Sequence, residues 1–255
     1  MTMSRKTLVA VGAAAALGLA VPSPARAALL LATTVNGVNY CAVDNDAFVC
    51  GFGTQITDTD PTAGSLALGS AGSPVDLNGL IVSGSLHTAT VGALNVLNSS
   101  SLNVTNSTGG DITAQVSVSA TDFTGPVTQY SAAGSGTWQT AAGSSIDMSW
   151  FNDPTNDQGA ETSADRPGNM VHSFAHLATN PLSEAFSTDT GLQNLAVPDP
   201  ALFSMTVGFD FTLVSGGELI SRGQTLLKPL AAVPEPASLA LFGLAAIAFA
   251  RKRRQ

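Results

Sequence analysis

The sequence predicts an all-β body, an antiparallel β-sandwich or a jelly-roll-like fold, set between an N-terminal signal helix and a short C-terminal hydrophobic helix. Three observations carry this expectation. Turn residues punctuate the middle of the chain about every ten positions, the spacing of a sandwich or barrel. Two stretches alternate: Ile112, Ala114, Val116, Val118 and Ala120 are apolar against polar Thr113, Gln115, Ser117 and Ser119, and Met205, Val207, Phe209, Phe211 and Leu213 stand against Ser204, Thr206, Gly208, Asp210 and Thr212. Such period-two patterning marks a strand with one buried face. Charged residues are only 11% of the 255, with Gly, Ser, Thr, Asn and Ala in their place. That composition lacks the Glu, Lys, Arg and Gln on which long surface helices depend and is rich in turn formers.

Taken in order, residues 1–27 read as a secretory signal. Arg5 and Lys6 form a positive start, Leu8 to Val21 is an unbroken run of apolar residues and glycine, and Pro22 and Pro24 break it. Ala25-Arg26-Ala27 then supplies a cleavage site, with Ala25 and Ala27 as its small residues. The run is too short to span a bilayer comfortably, which favours removal over permanent anchoring.

Residues 28–229 are the length of one domain and can bury a single substantial core. Asn36-Gly37, between apolar Ala28 to Val35 and Val38 to Val43, is the strongest hairpin signal in the chain. Ala93-Leu94-Asn95-Val96-Leu97-Asn98-Ser99 is echoed by Ser101-Leu102-Asn103-Val104-Thr105-Asn106-Ser107, which reads as two short strands. Asn152 to Asn169 is a long loop with Pro154, Gly159, Pro167 and Gly168. Val171 to Thr179 fits a strand or a short helix, and Ser183 to Ser187 a helical turn. Gly216-Gly217 turns the chain into Glu218 to Leu226, a candidate hairpin partner for the strand before it.

The whole chain has a formal charge of −8, but its charges are unevenly placed. Only Arg166, Arg222 and Lys228 of the ten bases lie in the body, against seventeen of the eighteen acids, a body charge of −14. That field repels nucleic acid and anionic lipid. Cys41 and Cys50 are the two cysteines; in an exported chain they are expected to pair, closing a small loop worth about 2–3 kcal/mol.

The C-terminal segment, residues 230–255, has three parts. Val233, Pro234, Glu235 and Pro236 form an extended motif. Ala237 to Ala250 holds no charge and no proline, and Arg251, Lys252, Arg253 and Arg254 form a basic stop. As a helix the apolar part rises about 21 Å, short of a hydrocarbon core of about 30 Å. The bases belong in the cytoplasm, which puts the body outside. This tripartite tail resembles the PEP-CTERM sorting signal of Gram-negative bacteria. The resemblance implies a membrane-embedded exosortase that cuts near Pro-Glu-Pro, export machinery and transient inner-membrane insertion as partners of the chain, and a setting of exopolysaccharide, biofilm or floc. It concerns sorting and implies no activity for the body.

No constellation in the body carries chemistry by spacing. There is no G-x-S-x-G elbow. His172 and His176 lie four apart, but without the intervening Glu of H-E-x-x-H or an evident third ligand, so structural histidines are the expectation. Glycoside hydrolysis needs two carboxylates across a sugar, and seventeen acids make some close pair inevitable. Oxygen-rich loops carrying Asp44 and Asp46, Asp58 and Asp60, and Asp153 and Asp157 are expected to form Asx turns, with calcium as the alternative; none has EF-hand spacing. The expectation is therefore a non-enzymatic cell-surface or matrix protein associated with exopolysaccharide, with no cofactor unless calcium. The alternative is an exported hydrolase of polysaccharide or peptide.

Overall fold

Strands β1 (Leu29–Val35) and β2 (Val38–Val43) open the described chain as the expected hairpin. Asn36 and Gly37 both have positive φ, 46° and 80°, the backbone that a two-residue hairpin turn requires and that Asn and Gly reach at least cost. A single 3-10 turn follows at Asp44–Asp46. The remaining strands are β3 (Thr54–Gln55), β4 (Ser65–Leu68), β5 (Val75–Leu77), β6 (Leu80–Val91), β7 (Leu94–Asn106), β8 (Ile112–Thr124), β9 (Val127–Gln139) and β10 (Ser145–Asp153). They continue with β11 (Asn169–Leu177), β12 (Ser183–Asp189), β13 (Gln193–Asp199), β14 (Leu202–Leu213) and β15 (Glu218–Pro229). This computed structural model describes residues 29–70, 72–91 and 94–229.

The strands form two sheets, ordered β11-β10-β14-β8-β1-β2-β3 and β12-β9-β15-β7-β6-β4. β13 pairs with β9 beyond the end of β12, and β5 pairs with β6 beside β4. Every pairing is antiparallel except the short β2–β3 pair. The body is thus an all-β sandwich. Its core lies between the sheets, where Phe209, Met148, Ile146 and Trp150 of the first meet Leu97, Trp138, Leu219 and Leu226 of the second. Burying each such side chain contributes about 1.5–3 kcal/mol.

Four local expectations change. The echoed segments are one continuous strand, β7, because Ser99, Ser100 and Ser101 contain no breaker. Ser183–Asp189 is a strand, drawn into extended form by pairing with Ala133–Gln139. Glu218 to Leu226 does not return along β14 but crosses to the second sheet, between β7 and β9. Asn106 holds that crossing. Its backbone exchanges hydrogen bonds with Gly216 and Gly217, and its side-chain amide donates to the carbonyls of Leu213 and Gly110. Last, β8 is buried on both faces through its middle. The loop 154–168 lies over it: Gly159 N–H donates to Ser119 Oγ, and Ser117 Oγ donates to the Ser163 carbonyl.

The secretory signal with Ala25 and Ala27, and the tail with Val233 to Pro236, residues 237–250 and Arg251 to Arg254, lie outside the described residues. Among the described residues no helix is long and apolar enough to cross a membrane.

Candidate functional site

The outer face of the first sheet carries a row of polar side chains. Strand register aligns Thr34 of β1, Gln115 of β8, Asp210 of β14, Asp147 of β10 and Ala175 of β11 in one outward row. Their neighbours in sequence, such as Ala114, Phe209, Phe211, Ile146 and Met148, point into the core, so alternation itself turns the row outward. Two open depressions of about 390 and 330 Å3 meet at Asp147 and Asp210.

Arg166, from the overlying loop, closes one side. Its guanidinium grips Asp210 with two hydrogen bonds, Nη2 to Oδ1 at 2.6 Å and Nη1 to Oδ2 at 3.1 Å. It also donates to Ser117 Oγ, Ser149 Oγ and the Val116 carbonyl. Gly208 lies beneath it, and a Cβ there would collide with the guanidinium. Asp147 is exposed, and the Asp210 side chain keeps 39% of its exposure. The site therefore offers one free carboxylate, one charge-paired carboxylate, a fixed guanidinium and the Gln115 amide. The sequence singled out none of these four as a site.

His172 and His176 each have partners of their own. Both point inward from β11 and seal the open edge between the sheets. His172 packs on Trp150 at 5.1 Å and meets Thr188 Oγ1 of β12 at 2.9 Å. Burial pushes its pKa below the usual histidine value. His176 stacks on Phe186 at 4.9 Å, and its Nδ1 accepts from Trp138 Nε1 at 3.1 Å. Its Nε2 lies 3.2 Å from Glu184 Oε1. The backbone N–H groups of Asn180 and Thr179 hold the Glu184 carboxyl below the usual range.

The acidic loops are brought together in part. Asp58 accepts from the backbone of Asn45, Asp60 and Ala67; Asp46 accepts from Asp58, and Asp44 from Gly64. Ser65 Oγ and the Thr62 N–H lower the pKa of Asp60. Asp153, in the other loop, accepts from the backbone of Thr155 and Asp157. The bonds of Asp60 N–H to Asp58, Thr62 N–H to Asp60 and Thr155 N–H to Asp153 are Asx-turn bonds, whereas those from Asn45, Asp58 and Gly64 tie the turn at Asp44–Asp46 to the segment 58–64. Among the described residues no group of three or more His, Cys, Asp or Glu is arranged to hold a metal ion. Cys41 and Cys50 are joined, with Cα atoms 6.4 Å apart. Cys50 and Phe52 cap a second small core of Leu30, Ala32, Val43 and Ala160 on the outer face.

A further polar cluster is fully enclosed between the sheets. Lys228 of β15 has its Nζ 2.7 Å from Asp199 Oδ2 of β13 and in direct contact with Asn152 Oδ1 of β10. Asn152 Nδ2 donates to Asp199 Oδ1 at 2.5 Å. The side chains of Lys228 and Asp199 are both 0% exposed. Burial drops the Lys228 pKa to about 8, against the opposing attraction of Asp199.

The fold and this surface define an all-β sandwich protein with an acidic outer face. Residues 232–254 match the PEP-CTERM protein-sorting motif. The chain carries that signal, which indicates export through membrane-associated sorting and is consistent with processing by an exosortase. No curated protein matches the chain in sequence. Among solved structures it is similar to TmCBM61 in complex with β-1,4-galactotriose, at 14% identity over 52% of this chain and 81% of that one, TM-score 0.29. It is also similar to the family 16 carbohydrate-binding module 2, at 13% identity over 55% and 84%, TM-score 0.26. A third is the module CBM6cm-2 from Cellvibrio mixtus lichenase 5A in complex with cellotriose, at 9% identity over 66% and 97%, TM-score 0.23. At these scores no ligand or activity carries over from them.

Proposed function

We propose that the mature body is a non-enzymatic surface or matrix protein that holds a neutral, hydroxyl-rich extracellular polysaccharide along the outer row Gln115–Asp210–Asp147. The observation that supports it is the direct cross-strand pairing of Asp147 with Asp210. Like charges in that position destabilise a sheet, yet one of the few bases in the body is set against Asp210 and Asp147 is left open to solvent. Neighbouring strands are about 4.8 Å apart, so the row sets its acceptors and donors roughly one sugar ring apart. Carboxylate and guanidinium both bind paired hydroxyls through two hydrogen bonds. The body charge of −14 disfavours acidic polymers by the same field that repels nucleic acid. With Asp210 held by Arg166, the pair does not present two free carboxylates, so recognition is favoured over hydrolysis.

Affinity electrophoresis of the secreted protein in gels of neutral and acidic polysaccharide tests this reading. Retardation by a neutral polymer is expected, and Asp147→Ala should weaken it about tenfold, or 1.4 kcal/mol. Leu192→Ser, a change at an exposed residue remote from the row in sequence, should leave it unchanged. Equal retardation of wild type and Asp147→Ala, or shortening of the polymer by the protein, would overturn the proposal.

A further inference from the structure

A lysine, an aspartate and an asparagine seldom share a dry interior. Taking an ion pair out of water costs several kcal/mol for each ion, and attraction rarely returns more than that. Here the three come from three strands of different pairing. Lys228 is paired by register to Asn95, Asn152 to Met205 and Asn169, and Asp199 to Val127. Sheet formation therefore fixes all three side chains before their own chemistry begins. The Phe203 ring lies 4.6 Å from Lys228 Nζ and stacks on Phe123 at 5.8 Å, walling the cluster from water. Each oxygen of Asp199 has a separate partner: Oδ2 faces the amine nitrogen and Oδ1 faces the amide nitrogen of Asn152.

We propose that Lys228 and Asn152 are joined by an intramolecular isopeptide bond, formed within the folded body with Asp199 as the proton relay.

The lysine ammonium passes one proton to Asp199 Oδ2 and becomes a neutral amine, a transfer that removes two buried charges at once. The lowered pKa of Lys228 eases this step. The amine lone pair attacks Asn152 Cγ, and the carbonyl electron pair moves onto Oδ1. The proton shifts from Oδ2 to Oδ1, Asp199 gives it to Nδ2 from Oδ1, and the freed Oδ2 takes a second proton from Nζ. Collapse of the intermediate restores the C=O bond, breaks the Cγ–Nδ2 bond and releases ammonia. The Nζ nitrogen keeps one proton as a secondary amide, and Asp199 ends protonated. No oxidant, nucleotide or metal is required. Holding nucleophile, carbonyl and relay in contact provides the proximity that such a step needs, and the enclosed site keeps water from competing.

Intact-mass spectrometry of the full exported chain, purified after folding, tests the bond. The expected mass is lower by one ammonia than the processed, disulfide-bonded sequence. Digestion should release one branched peptide containing both Lys228 and Asn152, with fragment ions on both arms. Asp199→Asn and Lys228→Met should each restore the full mass and two linear peptides. A folded wild type with its full sequence mass would overturn the proposal. So would an ammonia loss that maps to a single linear peptide, such as an imide at one asparagine. The wild-type measurement decides even if both variants fail to fold.

Discussion

Arg166 shows how one residue can organise a surface. It is the sole base on the loop 154–168, and it reaches down through Ser117, Ser149 and Asp210 to tie that loop to β8, β10 and β14. The sequence counted it as one charge among three, because nothing adjacent in the chain says what it spans. Lys228, Asn152 and Asp199 were hidden in the same way. Their separations of 29, 47 and 76 positions leave no local pattern. The histidines, expected to be structural, each pack against a side chain of a neighbouring strand. One of them has a pH consequence. Burial lowers the pKa of His172 below the usual 6.5, so the unfolded chain binds its proton more readily than the folded one. Its contribution is complete above that value and is lost as pH falls toward the lowered one. Urea midpoints measured across this window should fall with pH in wild type and more gently in His172→Gln; identical curves would contradict the assignment.

At the scale of elements, the sequence was most informative where one rule acted alone. The Asn36-Gly37 hairpin needed only turn chemistry, and β14 only alternation. Elsewhere tertiary contacts intervened. The outer face of β8 is polar by sequence, yet Ser117 and Ser119 are buried because a loop forty residues further on uses them as hydrogen-bond partners. β12 has weak strand propensity and is extended by its neighbour. The disulfide is an element-scale device. Cys41 is fixed in β2, whereas Cys50 ends a loop with little regular structure, so the bond secures the cap over Leu30, Ala32 and Val43. Reduction, or the double change Cys41→Ser and Cys50→Ser, should cost about 2–3 kcal/mol. Thermal melting should show it as a lower Tm, with hydrogen exchange rising first in residues 44–53.

The molecule as a whole combines the described sandwich with a sorting motif at residues 232–254. The all-β class was legible because composition and period agreed. The partition of the described strands between two sheets was not, since it depends on crossings such as that held by Asn106. The surface was least legible, because register alone brings Gln115, Asp210 and Asp147 side by side. Delivery follows from the tail. A chain lacking residues 234–255 should still cross the inner membrane but should lose retention at the cell envelope, with immunoblots showing it free in the medium. Unchanged distribution in fractionated cells would remove the role assigned to the sorting motif.

β15, the last strand before that tail, is an inner strand with β7 on one side and β9 on the other. A pull applied at Pro229 runs along the axis of that strand. The load then falls on two ladders of hydrogen bonds in shear, all at once, instead of opening them one by one from an edge. The sandwich therefore resists being unravelled from the C-terminal end of its described residues.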